Sequence, residues 1–177
     1  VDGTEYKGQS LDEITVGIAR LSSSREINTL FEEPEKLLRH CLLNGHWSVF
    51  TTTTLVFEIV TSRAIGRELL RHWSLRPQEL SQRYAEIAEV ETVELRKQAE
   101  NNRQSSTEVI DDLTLNNKVA NHIDDTFELY DSLLEKGVSR ETARMILPET
   151  TQTKIIFNGT LREWITTLNQ RLHKTAQ

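Results

Sequence analysis

Apolar side chains recur every three to four residues along much of the chain, the spacing that gives a helix one buried face. The last such stretch begins directly after Thr160. Thr160 and Glu163 stand at the spacing of a capping box. This pattern predicts helices at about 11–21, from Pro34 to Gly45, at about 62–73, at about 108–136, between Ser139 and Pro148, and after Thr160.

Two shorter stretches have the composition of strands. Residues 50–60, FTTTTLVFEIV, are rich in β-branched and aromatic side chains, with Leu55, Phe57 and Ile59 on one face. Residues 152–158, QTKIIFN, predict a second strand.

Residues 86–107 are polar and carry a shift in composition, which predicts a surface excursion. Helices and strands together predict an α+β fold.

Length, charge and hydropathy limit the class of protein. A chain of 177 residues with 37% hydrophobic residues is expected to form a single domain over residues 1–177. Its net charge of −6 argues against a nucleic-acid or membrane-surface binder, because both rely on a diffuse positive field. We expect a cytoplasmic protein, since no long apolar run or signal-peptide pattern occurs. The sequence stops inside a helical pattern, so we expect its C-terminal end to be trimmed.

Several catalytic patterns are missing from the sequence. Cys41 is the single cysteine and has apolar neighbours, which favours a buried structural residue over a nucleophile. His40, His46 and His72 show no metal-ligand spacing, so no metal site is predicted. The seven glycines form no phosphate-binding loop, which argues against Rossmann and P-loop enzymes.

Arginines crowd one region of this acidic chain. Arg63, Arg67 and Arg71 are spaced by four and would form a strip about 12 Å long on one helix, and Arg76 and Arg83 follow. Guanidinium groups match phosphate oxygens two at a time, so the strip predicts a phosphorylated ligand. The alternative is a solvated helix face whose arginines pair with acids such as Glu58 and Glu68.

The segment that follows the strip, RHWSLRPQELSQRY, carries further polar groups. Pro77 disfavours helical geometry at the preceding residue and predicts that the helix ends near Ser74. In a turn, Glu79, Ser81 and Arg83 can point into one pocket that suits a nucleotide. The alternatives are a surface pair between Glu79 and Arg83 and a turn-capping role for Ser81.

This segment resembles the signature RHRxxSxNExSxRY of the flavin-dependent thymidylate synthases. The matching positions are Arg71, His72, Glu79, Ser81, Arg83 and Tyr84. The similarity extends to IARLSS, NGHWSVF, GVSRETARMILP and TLREWITTLNQR, which occur in the family's order.

The resemblance implies an activity and an architecture. Members of the family convert dUMP to dTMP with methylenetetrahydrofolate as carbon donor and reduced FAD as hydride source, and NADPH reduces the FAD. They have a central antiparallel sheet packed with helices, and they are homotetramers whose active sites are shared between subunits. The expected partners are therefore dUMP, FAD and further copies of the chain.

The resemblance also assigns site residues. The implied dUMP contacts are Glu68, Arg71, Glu79, Ser81, Gln82, Arg83, Arg144 and Arg171. The implied FAD contacts are Ser48, Arg71, His72, Trp73, Glu79, Thr160 and Thr166, with His46 and Ser22 nearby. Arg171 would face the uracil, where a fixed guanidinium favours the ionised ring, so Arg171 is the predicted catalytic residue. For Thr160 a helix-capping role is an equal alternative.

The sequence departs from the family's signature at three positions. Trp73 replaces an arginine that contacts the flavin, Arg76 replaces a serine, and Gln78 replaces an asparagine. We expect Arg76 to restore the positive charge that Trp73 removes. Two other classes stay open: a non-catalytic homologue that binds nucleotide or flavin, and an arginine-rich helix that binds RNA, which the acidic total disfavours.

Overall fold

The computed structural model describes residues 9–21, 33–85 and 89–172. The α-helices are α1 (Leu11–Arg20), α2 (Pro34–Leu43), α3 (Arg63–Leu70), α4 (Leu113–Glu135), α5 (Arg140–Ala143) and α6 (Leu161–Arg171). The strands are β1 (Thr54–Ser62), β2 (Arg76–Glu79), β3 (Arg96–Gln98), β4 (Ser106–Val109) and β5 (Gln152–Thr160). Short 3-10 helices span Trp47–Thr51 and Arg144–Ile146. The predicted α+β class is confirmed.

The chain divides into two compact units. Of the described residues, the first comprises 9–21, 33–56 and 158–169, and the second comprises 57–85, 89–157 and 170–172. The boundary falls inside β1, β5 and α6, so each of these elements contributes residues to both units.

The first unit has a small core in which α1 packs on α2 and on the first 3-10 helix. Val16, Cys41 and Phe50 are buried there, which confirms the predicted burial of the cysteine. The buried hydroxyls of Thr15 and Thr53 share a hydrogen bond of 2.8 Å, so neither is left unpaired. α6 begins with the predicted cap: the Thr160 amide donates to the Glu163 carboxylate at 2.6 Å.

A three-stranded sheet in the order β1-β5-β2 organises the fold. β1 and β5 run antiparallel, because hydrogen bonds from the Arg63 amide to the Thr151 carbonyl and from the Leu161 amide to the Thr53 carbonyl flank the pair. The central strand alternates buried and exposed residues, as expected for a strand with one covered face. Its buried positions in the second unit are Thr153, Ile155 and Phe157.

Helix α3 follows β1 directly and lies close to β5. A Cβ placed on Gly66 would stand 3.1 Å from Cγ2 of Thr153 and 3.2 Å from Cδ1 of Ile155. The absence of a side chain at Gly66 therefore lets the helix backbone approach the strand. Ser62 caps the helix, since its side chain accepts from the Ile65 amide at 3.5 Å.

The rest of the second unit is a hairpin and a helical segment. β3 and β4 pair antiparallel and all their residues are exposed, in agreement with the predicted surface excursion. α4 packs against α5 and the second 3-10 helix, with Tyr130 buried. Gly137 follows α4 with a φ of 81°, a left-handed conformation that glycine adopts without a steric penalty.

Three predicted boundaries were wrong. The residues from Trp47 to Thr51 form a 3-10 helix, so β1 begins at Thr54 rather than at Phe50. α3 ends at Leu70 instead of extending to Trp73. α4 begins at Leu113 instead of near residue 108, because β4 extends to Val109 and Asp112 caps the helix by accepting from the Leu115 amide at 3.0 Å.

The early end of α3 changes the surroundings of two predicted site residues. Trp73 was expected to end the predicted helix but lies beyond α3, and it is 93% exposed. Glu79 was expected in a turn but ends strand β2. Pro77 is compatible with this strand because β2 stands at the edge of the sheet, where a missing amide hydrogen is tolerated.

Substitution of Gly66 tests the contact between α3 and β5. We expect Gly66→Val to lower the free energy of unfolding by about 1–3 kcal/mol, because the added side chain overlaps Thr153 and Ile155. Ala120→Val, at an exposed position of α4, is the control and should cost under about 0.7 kcal/mol. Urea unfolding of the three proteins measures both effects, and equal losses would contradict the close approach.

Candidate functional site

The three arginines spaced by four, two in α3 and one directly after it, each have an acidic partner in the second unit. Arg63 pairs with Glu79 at 3.3 Å, and Arg71 pairs with Glu68 at 3.1 Å. Arg67 pairs with Glu149. The expected pairing of the strip with Glu68 is therefore found for Arg71, whereas Glu58 pairs with Lys154 at 3.1 Å.

Arg171, the predicted catalytic residue, lies against the end of α3. Its Nε donates to Nε2 of His72 at 2.6 Å, and its Nη2 donates to the carbonyl oxygen of Glu68 at 2.5 Å. The carboxylate of Glu68 lies 3.6 Å from the same Nη2. The Arg171 side chain is 23% exposed. Three contacts thus hold one guanidinium in a single orientation, and residues distant in the sequence meet at one point.

His72 accepts a hydrogen bond in this cluster, which requires a neutral imidazole with an unprotonated Nε2. Burial lowers the pKa of His72 below its ordinary value of 6.5, the Arg171 guanidinium lowers it further, and the Glu68 carboxylate opposes them. The lowered pKa and the accepted hydrogen bond therefore both favour a neutral His72.

A second group of predicted residues lines a pocket of about 320 Å³. It is lined by Arg63, Arg67, Gln82, Arg144, Met145, Leu147, Pro148 and Glu149. Gln82 and Arg144 were predicted as substrate contacts, while the sequence gave no site role to Glu149. The arginine strip was the signal in the sequence that pointed to Arg63 and Arg67.

The remaining residues of the RHWSLRPQELSQRY segment have separate partners. Glu79 accepts from the Thr153 hydroxyl at 2.8 Å as well as from Arg63. Arg83 pairs with Glu141 at 3.3 Å, so the alternative of a pair between Glu79 and Arg83 is not what forms. Ser81 accepts from the Arg83 amide at 3.3 Å, which confirms its turn-capping role.

Predicted flavin contacts also lie in the first unit. Ser48 is exposed in the 3-10 helix that starts at Trp47, and His46 immediately precedes it. The Thr160 hydroxyl accepts from the Glu163 amide at 3.3 Å, and the Thr166 hydroxyl donates to the Arg162 carbonyl at 2.9 Å. Helix capping at Thr160 is confirmed. Ser22 lies outside the described residues.

Among residues 9–21, 33–85 and 89–172, no group of three or more His, Cys, Asp or Glu side chains is placed to hold a metal ion. Over the same part of the chain, no helix has both the length and the hydropathy needed to cross a bilayer.

The Arg171 cluster predicts a dependence of stability on pH. Because folding lowers the pKa of His72 from 6.5, the unfolded chain takes up this proton first as the pH falls. The contribution of neutral His72 to the free energy of unfolding is fully present above pH 6.5. It is lost as the pH falls from 6.5 through the lower pKa of His72 in the folded protein. His72→Gln keeps an acceptor for Arg171 but removes the titration, so its unfolding free energy should decline less between about pH 7.5 and about pH 5.5. Urea unfolding at both values measures the difference, and parallel slopes would contradict this assignment.

Comparison with known proteins gives one consistent family. A family model described as thymidylate synthase complementing protein matches residues 6–177. The chain is 38% identical to the flavin-dependent thymidylate synthase of Synechocystis sp. over 162 residues, covering 90% of this chain and 74% of that protein. It is 37% identical to a probable flavin-dependent thymidylate synthase of Paramecium bursaria Chlorella virus 1 over 171 residues, covering 94% of this chain and 78% of the viral protein.

A solved structure with a similar fold contains a bound nucleotide analogue. The UMP/dUMP methylase PolB from Streptomyces cacaoi, crystallised with 5-Br dUMP, superposes with a TM-score of 0.72 at 25% identity. The match covers 90% of this chain and 73% of that one. From the family match and the identity to its members, the chain belongs to the thymidylate synthase complementing protein family, the flavin-dependent thymidylate synthases.

Proposed function

We propose that the protein converts dUMP to dTMP, with methylenetetrahydrofolate as carbon donor, FAD as cofactor and NADPH as reductant. The observation that carries this proposal is the Arg171 cluster, in which a largely buried guanidinium is fixed between His72 and Glu68. Membership of the family and the dUMP analogue bound by the related methylase support the same substrate.

Arg171 is proposed as the catalytic residue because of its charge and its fixed position. A guanidinium beside the uracil imide favours the ionised ring and so activates the neighbouring carbon for attack. Hydrogen bonds to His72 and Glu68 are already formed, so little reorganisation is required when charge develops. Cys41 is buried, so it is not proposed as a nucleophile.

The remaining substrate contacts are proposed to lie around this group. Arg71 is 74% exposed and keeps donors for a ligand besides its pair with Glu68. Arg83 and Arg144 supply further guanidinium groups, and Glu79, Ser81 and Gln82 supply acceptors and donors. These guanidinium groups make the region locally positive, although the chain as a whole is acidic. A local positive charge suits a phosphorylated substrate.

The chemistry of the described residues fits a flavin. The exposed Trp73 indole offers an aromatic face, and exposed Arg71 offers a cation for the diphosphate. His72 and Glu79 complete the proposed FAD contacts of the second unit, and Ser48, Thr160 and Thr166 those of the first. These residues would hold the flavin, which when bound would supply the hydride and the one-carbon transfer chemistry.

The proposed assembly is a homotetramer with active sites shared between subunits. α4 exposes Leu115 and Leu129, which lie on one side of the helix, and an exposed apolar helix face is suited to burial against another copy. We also propose a single functional domain over residues 1–177 and a cytoplasmic location.

The activity is tested by mixing the purified protein with dUMP, methylenetetrahydrofolate and NADPH. We expect a yellow protein that forms dTMP, and we expect Arg171→Gln to lower kcat by about 100-fold to 1000-fold, since it removes a preorganised charge. Arg162→Gln, an exposed position of the same helix, is the control and should retain activity.

Two outcomes would count against this function. A colourless protein without activity would contradict it. Tight binding of dUMP without turnover would instead favour the second candidate, a non-catalytic homologue, which the exposed Trp73 in place of an arginine supports.

Substitutions at Trp73 and Arg76 test which side chain contributes to flavin affinity. We expect Trp73→Arg to strengthen FAD binding by about tenfold, because an arginine fork replaces an uncharged ring. Arg76→Ser should weaken FAD binding by a similar factor if Arg76 supplies the charge that Trp73 lacks. Flavin fluorescence titration measures both constants, and an unchanged affinity of Arg76→Ser would refute the compensation.

A further inference from the structure

Thr153 places a buried hydroxyl against one of the proposed ligand contacts. The residue lies on β5, the central strand of the sheet, and is 3% exposed. Its hydroxyl donates to Oε1 of Glu79 at 2.8 Å, and Glu79 ends the edge strand β2. The Leu80 amide donates to the Lys154 carbonyl at 2.8 Å, so the two strands are joined at the positions that directly follow both side chains.

The side chain of Thr153 is oriented by helix α3. Its methyl carbon, Cγ2, lies against Gly66, where an added Cβ would stand 3.1 Å away. Threonine has few χ1 orientations, because two heavy atoms branch from its Cβ. With the methyl group against α3 and the hydroxyl bonded to β2, both branches of the side chain are committed. The close approach at Gly66 therefore also sets the direction of the hydroxyl.

Two donors meet one oxygen of Glu79. Nη1 of Arg63 lies 3.3 Å from the same Oε1 that accepts from Thr153. The side chains of Arg63 and Glu79 are mostly buried, at 21% and 25% exposed. A carboxylate can accept about four hydrogen bonds. Because both contacts reach Oε1, the second oxygen, Oε2, keeps acceptor capacity for a donor on a ligand.

We propose that Thr153 is a positioning residue: it fixes Oε1 of Glu79, so that Oε2 presents an oriented acceptor to an N–H or O–H group of the nucleotide. The inference rests on the proposed function, in which Glu79 contacts dUMP. The uracil imide and the deoxyribose hydroxyl of dUMP are donors of this kind, whereas its phosphate is repelled by a carboxylate. An acceptor that is held before the ligand arrives lowers the ordering cost of binding.

The test is a double-mutant cycle between Thr153 and Glu79, with dUMP affinity measured by calorimetric titration of the full chain in the presence of FAD. Thr153→Val removes the hydroxyl and keeps the branched shape. It should weaken dUMP binding by about tenfold, as expected for loss of a hydrogen bond to a charged group. In the Glu79→Ala background the same substitution should change the affinity by less than about twofold, because the group that Thr153 orients is absent. Thr153→Ser restores the hydroxyl and should recover most of the affinity.

Thr151→Val is the matched control. Thr151 is fully buried, and its hydroxyl donates to the Pro148 carbonyl at 2.6 Å, so this variant also loses one hydrogen bond of a buried threonine. It should be destabilised to a comparable degree in urea but should bind dUMP like the parent protein. Equal losses of dUMP affinity in Thr151→Val and Thr153→Val would reflect general destabilisation and would overturn the inference. This contrast also decides the test if Glu79→Ala binds dUMP too weakly to titrate.

Urea unfolding of the four proteins of the cycle separates this inference from the proposed function, because the hydrogen bond between Thr153 and Glu79 forms without a ligand. Non-additive losses of unfolding free energy in a chain that neither binds dUMP nor forms dTMP would keep Thr153 as the anchor of Glu79 and overturn the function. Additive effects on dUMP affinity would overturn the positioning role, even in an enzyme that forms dTMP.

Discussion

The close approach of α3 to β5 at Gly66 is the constraint on which the second unit depends. A helix normally stands off a strand by the length of its side chains, but here a Cβ would meet Thr153 and Ile155. The Arg63 amide bonds to the Thr151 carbonyl, so the first turn of the helix is tied to the same strand. Because a helix is rigid over two turns, this anchoring also fixes Glu68 and Arg71 at its other end.

Charge in this region is arranged by pairing rather than by accumulation. Both arginines of α3 pair with a carboxylate from another segment, Glu79 or Glu149, and Arg71 directly after the helix pairs with Glu68. The pairs of Arg67 and Arg71 are largely exposed and contribute little to stability, whereas the pair of Arg63 with Glu79 is mostly buried. Their effect is to reduce the number of positions that each guanidinium occupies, so that a phosphorylated ligand meets donors that are already oriented.

Helices with a clear apolar period were predictable, and so were their caps, because both depend on residues a few positions apart. Thr160 with Glu163 is an example. β2 was not predictable, since its pairing with β5 is a contact between distant segments, and Pro77 suggests a turn wherever the neighbouring strand is unknown. The 3-10 helix at Trp47–Thr51 was missed for a similar reason: β-branched residues favour a strand locally, whereas burial of Phe50 decides the backbone.

The contacts among the predicted site residues were not predictable from the sequence. Family signatures identified His72 and Arg171 separately, but their hydrogen bond joins positions 99 residues apart and depends on where α6 ends. This bond changes the interpretation of His72. A histidine that accepts from a guanidinium must stay neutral, so His72 helps to hold the orientation of Arg171. Trp73 follows directly and leaves the helix, which places its exposed ring next to a group whose orientation is already fixed.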